Sequence, residues 1–253
     1  MRVVILGSGT SDGVPIIGCD CQVCTSEDPH DRRLRSSIYV ETKGKNILID
    51  TSIDLRQQAL DNDIRHLDAI LFTHHHADHV DGIDDLRRFN QLCNGKKLPC
   101  YANRRTSAEL SHKFPYVFTE EETGGGKPKI KTYLIEAPFS IGPVFIIPIP
   151  IFHGEMPILG FRIENMAYLT DCSAVPDKSM HLLKGLDLLI VDALKKEPHS
   201  THFNLFQAEE LANTLNPRRT LFTHICHIMG HKQTNRELPP DKQLAYDRQI
   251  VEL

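Results

Sequence analysis

The chain has 253 residues, 40% hydrophobic and 25% charged, with a net charge of −4; that length suits one large domain or two small ones, and no apolar run is long enough to cross a bilayer. The mild negative charge argues against a surface that coats nucleic acid. Seven cysteines, an odd number, behind an N-terminus that reads as a strand and not as a secretion signal, argue against a disulfide framework and for a reduced, cytoplasmic chain.

RVVIL opens the chain as a strand and runs into a Gly/Ser turn. GCDCQVC, residues 18–24, then sets Cys19, Cys21 and Cys24 within six residues, close enough for one zinc ion that still wants a fourth ligand. SIYVET and NILID read as strands, the second ending on Asp50, and SIDLRQQALDND reads as a helix. The strand AILFT leads into THHHADHVDG, residues 73–82, and on into the helical GIDDLRRFNQL. TEEETGGGKPK, residues 119–129, places three glycines between charges and is a loop that either closes as a lid or stays a solvated turn. PVFIIPIPI, ILGFRI and AYLT follow as strands, with His153 and Asp171 at the ends of the first and third. DKSMHLLKGL is a helix, LLIVD a strand, and NLFQAEELANTLN a helix capped by Asn204. TLFT ends on His224, and THICH carries Cys226 and His227. Strands outnumber helices and no linker or repeat divides them. The expectation is therefore one α+β domain over residues 1–253, with a two-sheet core and helices outside, in preference to a doubly wound sheet.

The His/Asp segment carries the chemistry. In an extended loop residues two apart point the same way, so His74 and His76 can share one ion, while Asp78 and His79 at the helix entry reach a second. His75 breaks that spacing and is left without an ion. H-x-H-x-D-H after an apolar strand resembles the metallo-β-lactamase superfamily, whose fold is a four-layer αββα sandwich. That resemblance implies further ligands at later strand ends, with one ion on His74, His76 and His153, a second on Asp78, His79 and His224, and Asp171 between them. Asp50 matches an acidic residue kept near the site, and orienting the ligand loop through hydrogen bonds is its expected part. GTSDGVP, GCDCQVC and THICH together resemble the PhnP-type phosphodiesterases, a branch similar to tRNase Z, which carry a Cys₃His zinc site beside the dinuclear centre. Cys19, Cys21, Cys24 and His227 are then a structural zinc site with every position filled by protein, with Cys226 as a rival ligand. Cys93, Cys100 and Cys172 fit no ligand spacing.

No Ser or Cys stands in a base-paired arrangement, so the expected nucleophile is a water or hydroxide bridging two divalent ions, zinc or manganese. In HSTHFNLF, His202 precedes Asn204 at a helix N-terminus whose free N–H groups suit a phosphate. His202, with Asp78, is counted among the catalytic residues, His202 as general acid or transition-state donor, and His199 competes for that part. The resemblance implies hydrolysis of a small, cyclic phosphodiester such as 5-phosphoribosyl 1,2-cyclic phosphate. The alternatives are a tRNase Z-like RNA endonuclease, disfavoured because TGGGKPKIK offers only three lysines as a basic arm, and a non-catalytic metal-binding scaffold. Neither nucleic acid nor membrane is an expected partner, and a homodimer is left open.

Overall fold

The computed structural model describes residues 1–119 and 126–253. Six residues of the glycine-rich segment, and with them the choice between a lid and a solvated turn, lie outside the described residues. Strands β1 (Arg2–Gly7), β2 (Ser37–Thr42), β3 (Lys45–Ile49), β4 (Ala69–Leu71), β5 (Leu98–Ala102) and β6 (Ile130–Leu134) build one sheet. Strands β7 (Phe139–Ile141), β8 (Val144–His153), β9 (Met156–Ile163), β10 (Met166–Leu169), β11 (Leu188–Asp192), β12 (Arg219–Thr223) and β13 (Lys242–Leu244) build the second, in reverse spatial order. The last strand, β14 (Ile250–Glu252), returns to the first sheet and pairs antiparallel with β1, Arg2 against Glu252.

Alternation within the apolar strands explains the layering. Val3 and Ile5 of β1 face the second sheet and pack with Ile146, Phe161 and Ile190, whereas Val4 and Leu6 face outward to a separate cluster with Leu55, Leu86 and Phe89. A strand covered on both faces reads as a continuous apolar run, and that is why these segments show no polar face in the sequence. Helices α1 (Leu55–Asp61), α2 (Ala77–Val80), α3 (Leu86–Leu92) and α4 (Arg104–Lys113) contribute to the outer core of the first sheet, and the one-turn α5 (Pro115–Phe118) follows them. On the second sheet, α6 (Asp177–Met180) and α7 (Leu205–Leu215) lie over Leu169, Leu189 and Val191, α7 burying Leu205, Ala208, Leu211 and Ala212. The result is helix, sheet, sheet, helix: the αββα sandwich. No helix among the described residues is long and apolar enough to cross a membrane.

Two helical readings are corrected. GIDDLRRFNQL divides into a 3-10 turn, Asp81–Asp85, and the seven-residue α3. DKSMHLLKGL yields only α6 and a 3-10 turn, His181–Leu183, because Pro176 starts it with no side-chain cap and Gly185 at φ +70° stops it.

Candidate metal centre

The strand ends named in the sequence converge. Asp50 follows β3, His74 follows β4 by way of Thr73, His153 ends β8, Asp171 follows β10, and His224 follows β12. Three of these residues hold left-handed backbone, Asp50 at φ +65°, Asp171 at +53° and His224 at +58°. Each costs conformational energy, so the packing around the strand ends must enforce them, which turns the side chains back across the sheet edge.

Asp78, His79, Asp171 and His224 bring ligand atoms within 4.8 Å of one another, and so do His74, His76 and Asp171, and His153, Asp171 and His202. Asp171 is common to all three groups. His153 thus meets Asp171 and His202, its ring 4.6 Å from that of His202, and stands farther from His76 and His74 at 5.1 and 5.7 Å. All but His76 and His153 are almost fully buried.

What these atoms lack is hydrogen-bond geometry. His79 Nε2 stands 3.1 Å from Asp78 Oδ2 and 3.0 Å from Asp171 Oδ1, and His224 Nε2 stands 3.4 Å from Asp171 Oδ1. Yet His79 Nε2, His224 Nε2, His74 Nε2 and Asp78 Oδ2 are buried without a hydrogen-bond partner. Several donor atoms facing one point and bonding to none of their neighbours is the arrangement divalent cations require. Burial opposes charge on His79, but Asp171, Asp78 and Asp50 outweigh it and hold its pKa well above the usual imidazole value. Asp171 lies well below the carboxylate range: burial alone would raise it, and His224 and His79 overturn that.

A surrounding set of bonds orients the ring nitrogens. Asp50 accepts from Thr73 N, from Thr73 Oγ1 and from His79 Nδ1, each at 2.8 Å. The proton on His79 Nδ1 is thereby held away from the centre and Nε2 is left to face it. His153 Nδ1 donates to the Thr201 carbonyl at 2.8 Å, and Thr170 Oγ1 donates to Asp171 Oδ1 at 2.8 Å. His75 turns away toward Arg105, Glu109 and Lys113.

Asp192, the last residue of β11, was not singled out in the sequence although it ends LLIVD as Asp50 ends NILID. Fully buried, it accepts a 2.7 Å bond from His202 Nδ1. Burial raises the pKa of Asp192 and, as the largest cause, lowers that of His202 to about 4, so His202 is held as an uncharged imidazole with Nδ1 turned to the carboxylate. His199 is exposed, with its ring 5.3 Å from that of His202, and receives only weak contacts from Thr201. The helix N-terminus beside them differs from expectation. Asn204 and Gln207 form a reciprocal capping box, and Leu205 N donates to the Lys195 carbonyl, so the N–H groups of Leu205 and Gln207 serve the fold and not a phosphate.

The second cluster gathers Cys19, Cys21, Cys24 and His227. His227 Nδ1 lies 3.3, 3.4 and 3.7 Å from the three sulfurs. Tetrahedral zinc, with Zn–S of about 2.3 Å and Zn–N of about 2.0 Å, separates its S and N ligands by roughly 3.5 Å, so the four residues fit that ion. Cys226 is not in this group. Its N–H donates to the Leu194 carbonyl, and its own carbonyl accepts from Arg33 Nη1 at 2.8 Å. Arg33 also donates to the Met229 carbonyl and to Asp31, and so ties the His227 turn to the segment after the thiols.

Fold and site together define a class: the Beta-lactamase superfamily domain matches residues 45–225, and the chain belongs to that superfamily. Within it the chain is PhnP-like. A crystal structure of "a new diphosphatase from the PhnP family" is 44% identical with a TM-score of 0.93, covering 100% of this chain and 97% of that one. An octanoyltransferase from Porphyromonas gingivalis is 39% identical over 98% of this chain, which spans about half of that relative's length, 50%. The Zn²⁺-bound PqqB from Methylobacterium extorquens, 22% identical with full coverage of both chains and a TM-score of 0.80, shares the fold.

Proposed function

We propose that the chain, acting as one domain over residues 1–253, is a metal-dependent hydrolase of small phosphodiesters, a reaction close to the opening of a P–O–P anhydride by a diphosphatase. The observation that carries this reading is the convergence of buried, unbonded donor atoms of His74, Asp78, His79 and His224 on Asp171, together with the likeness to a PhnP-family diphosphatase. His74, His76, His153, Asp78, His79 and His224 would hold two divalent ions, with Asp171 between them. When bound, such ions act as Lewis acids and lower the pKa of water from 15.7 to about 7.

The chain's own residues supply the rest. Asp50 and Thr73 keep the ligand loop in place. Asp192 orients His202 through Nδ1; with phosphate charge beside it, Nε2 would take a proton from solvent and pass that proton to the departing oxygen. Cys19, Cys21, Cys24 and His227 hold a zinc ion that is closed to substrate, and their thiolates suit the reducing cytoplasm. A small cyclic diester such as 5-phosphoribosyl 1,2-cyclic phosphate remains our favoured substrate, with zinc or manganese at the dinuclear centre.

The test is metal content together with turnover of bis-p-nitrophenyl phosphate, a β-lactam, a thioester and a precursor tRNA. Preference for the simple diester is the expected result. Cleavage of the tRNA alone would replace this reading with RNA processing, and silence on all four with full metal loading would make the chain a scaffold.

A further inference from the structure

A cleft of about 330 Å³ runs from His202 and His224 to His227, and so joins the dinuclear centre to the Cys₃His site. Its walls include Thr10 and Ser11 from the loop after β1, and Lys195 and His199 from the segment after β11. Lys195 is pinned by its backbone. Its carbonyl accepts from Leu205 N, and the N–H and C=O of Leu194 bond to Phe203 O and Cys226 N. The residue therefore stands at a set place three positions beyond Asp192, half-buried.

The adjacent Lys196 pairs with Glu237 at 2.5 Å, whereas among the described residues no carboxylate lies within ion-pair reach of Lys195. Among the described residues Asp12 is the one acidic residue of the lining, and it is exposed. The Lys195 charge is felt at both His199 and Cys226. A half-buried lysine lining a cleft, with no ion-pair partner among the described residues, is poised for an anion supplied by the ligand. The site that processes the scissile phosphate lies at one end of the same cleft.

Resting on the phosphodiesterase reading, we infer that Lys195 binds a second phosphoryl group of the substrate, remote from the scissile one, with the Thr10 and Ser11 hydroxyls lining its berth. Substrates carrying a phosphate at both ends are then selected over those with one.

Calorimetry on the manganese-loaded protein reads this without turnover. Thymidine 3′,5′-bisphosphate should bind about tenfold or more tightly than thymidine 5′-phosphate, the increment of one good charge-assisted contact. In Lys195→Gln the ratio of the two affinities should fall to within about twofold, and in Lys195→Arg most of it should return. A ratio near one in the wild type, or a ratio unchanged by Lys195→Gln, overturns the assignment. Failure of the wild-type protein to hydrolyse bis-p-nitrophenyl phosphate would strike the phosphodiesterase reading instead, and the affinity ratio would still decide Lys195.

Discussion

Single side chains divide the labour at this site between holding and reacting. Asp171 is shared by three clusters, so Asp171→Ala should strip metal from the dinuclear centre and abolish hydrolysis, as measured by mass spectrometry of metal content. Two active-site ions retained in that variant would remove Asp171 from its bridging place. His202 should behave otherwise. His202→Ala should lower kcat by about 10²–10⁴-fold with metal content unchanged, and the loss should shrink with p-nitrophenolate as leaving group, because that oxygen departs without a proton. Asp192→Asn tests the orienting bond: it should cost about 10–100-fold in kcat with KM little changed, and His199→Ala should be nearly silent. An equal loss in His199→Ala would return His202 to being a capping-segment residue.

At the level of elements, two short segments are locked against distant ones. The ligand loop leaves β4, enters α2, and is clamped at Gly82, whose N–H donates to Thr51 O. An added Cβ there would meet the Ser52 carbonyl at 2.0 Å. Gly82→Ala must therefore push the loop off the Asp50 turn, with a stability loss of about 1–3 kcal/mol and weaker metal binding as the expected outcome in thermal melts and metal titration. The thiol loop is locked to the THICH turn by His227 and, beneath it, by Arg33. Cys21→Ser should remove one metal equivalent and lower the melting temperature, since the binding free energy of a structural zinc is coupled to folding. The dinuclear pair should stay loaded in whatever remains folded; unchanged stoichiometry and melting temperature would disprove the zinc site.

For the whole molecule, acid should be the weak side. His231, on α8 (His231–Glu237), is buried against His30 and Tyr246. Burial first, then His30 and Arg33, lower its pKa to about 4, against the pull of Asp28 and Asp31. The unfolded chain takes up a proton at this residue near pH 6.5 and the folded chain does not until about 4. The stability it contributes is thus complete above pH 6.5 and falls away as pH drops through that window, by up to about 3 kcal/mol. Melts of the wild type against His231→Phe between pH 7 and 4.5 should show the variant losing less. Equal slopes would refute the role given to His231.

The sequence by itself determined the parts whose partners are near in the chain. His74, His76, Asp78 and His79 lie within six residues, the three thiols lie within another six, and apolar runs such as those of β1 and β11 announce themselves because both of their faces are buried. Asn204 could be read as a cap because its bonding partner, Gln207, is three residues away. Short, mixed strands such as β7 and β13 could not be read, since Phe139–Ile141 and Lys242–Leu244 become strands only through pairing with β8 and β12. Nor could α4, which buries only Thr106 and Leu110 and so lacks a strong helical stripe. Only the tertiary structure shows that Asp192 faces His202, that Cys226 stands outside the thiol cluster, that β14 closes on β1, and that Lys195 has no ion-pair partner among the described residues. Each depends on which strand ends share an edge of the sandwich, and that is set by burial of apolar faces between segments far apart in the chain, a quantity no local spacing encodes.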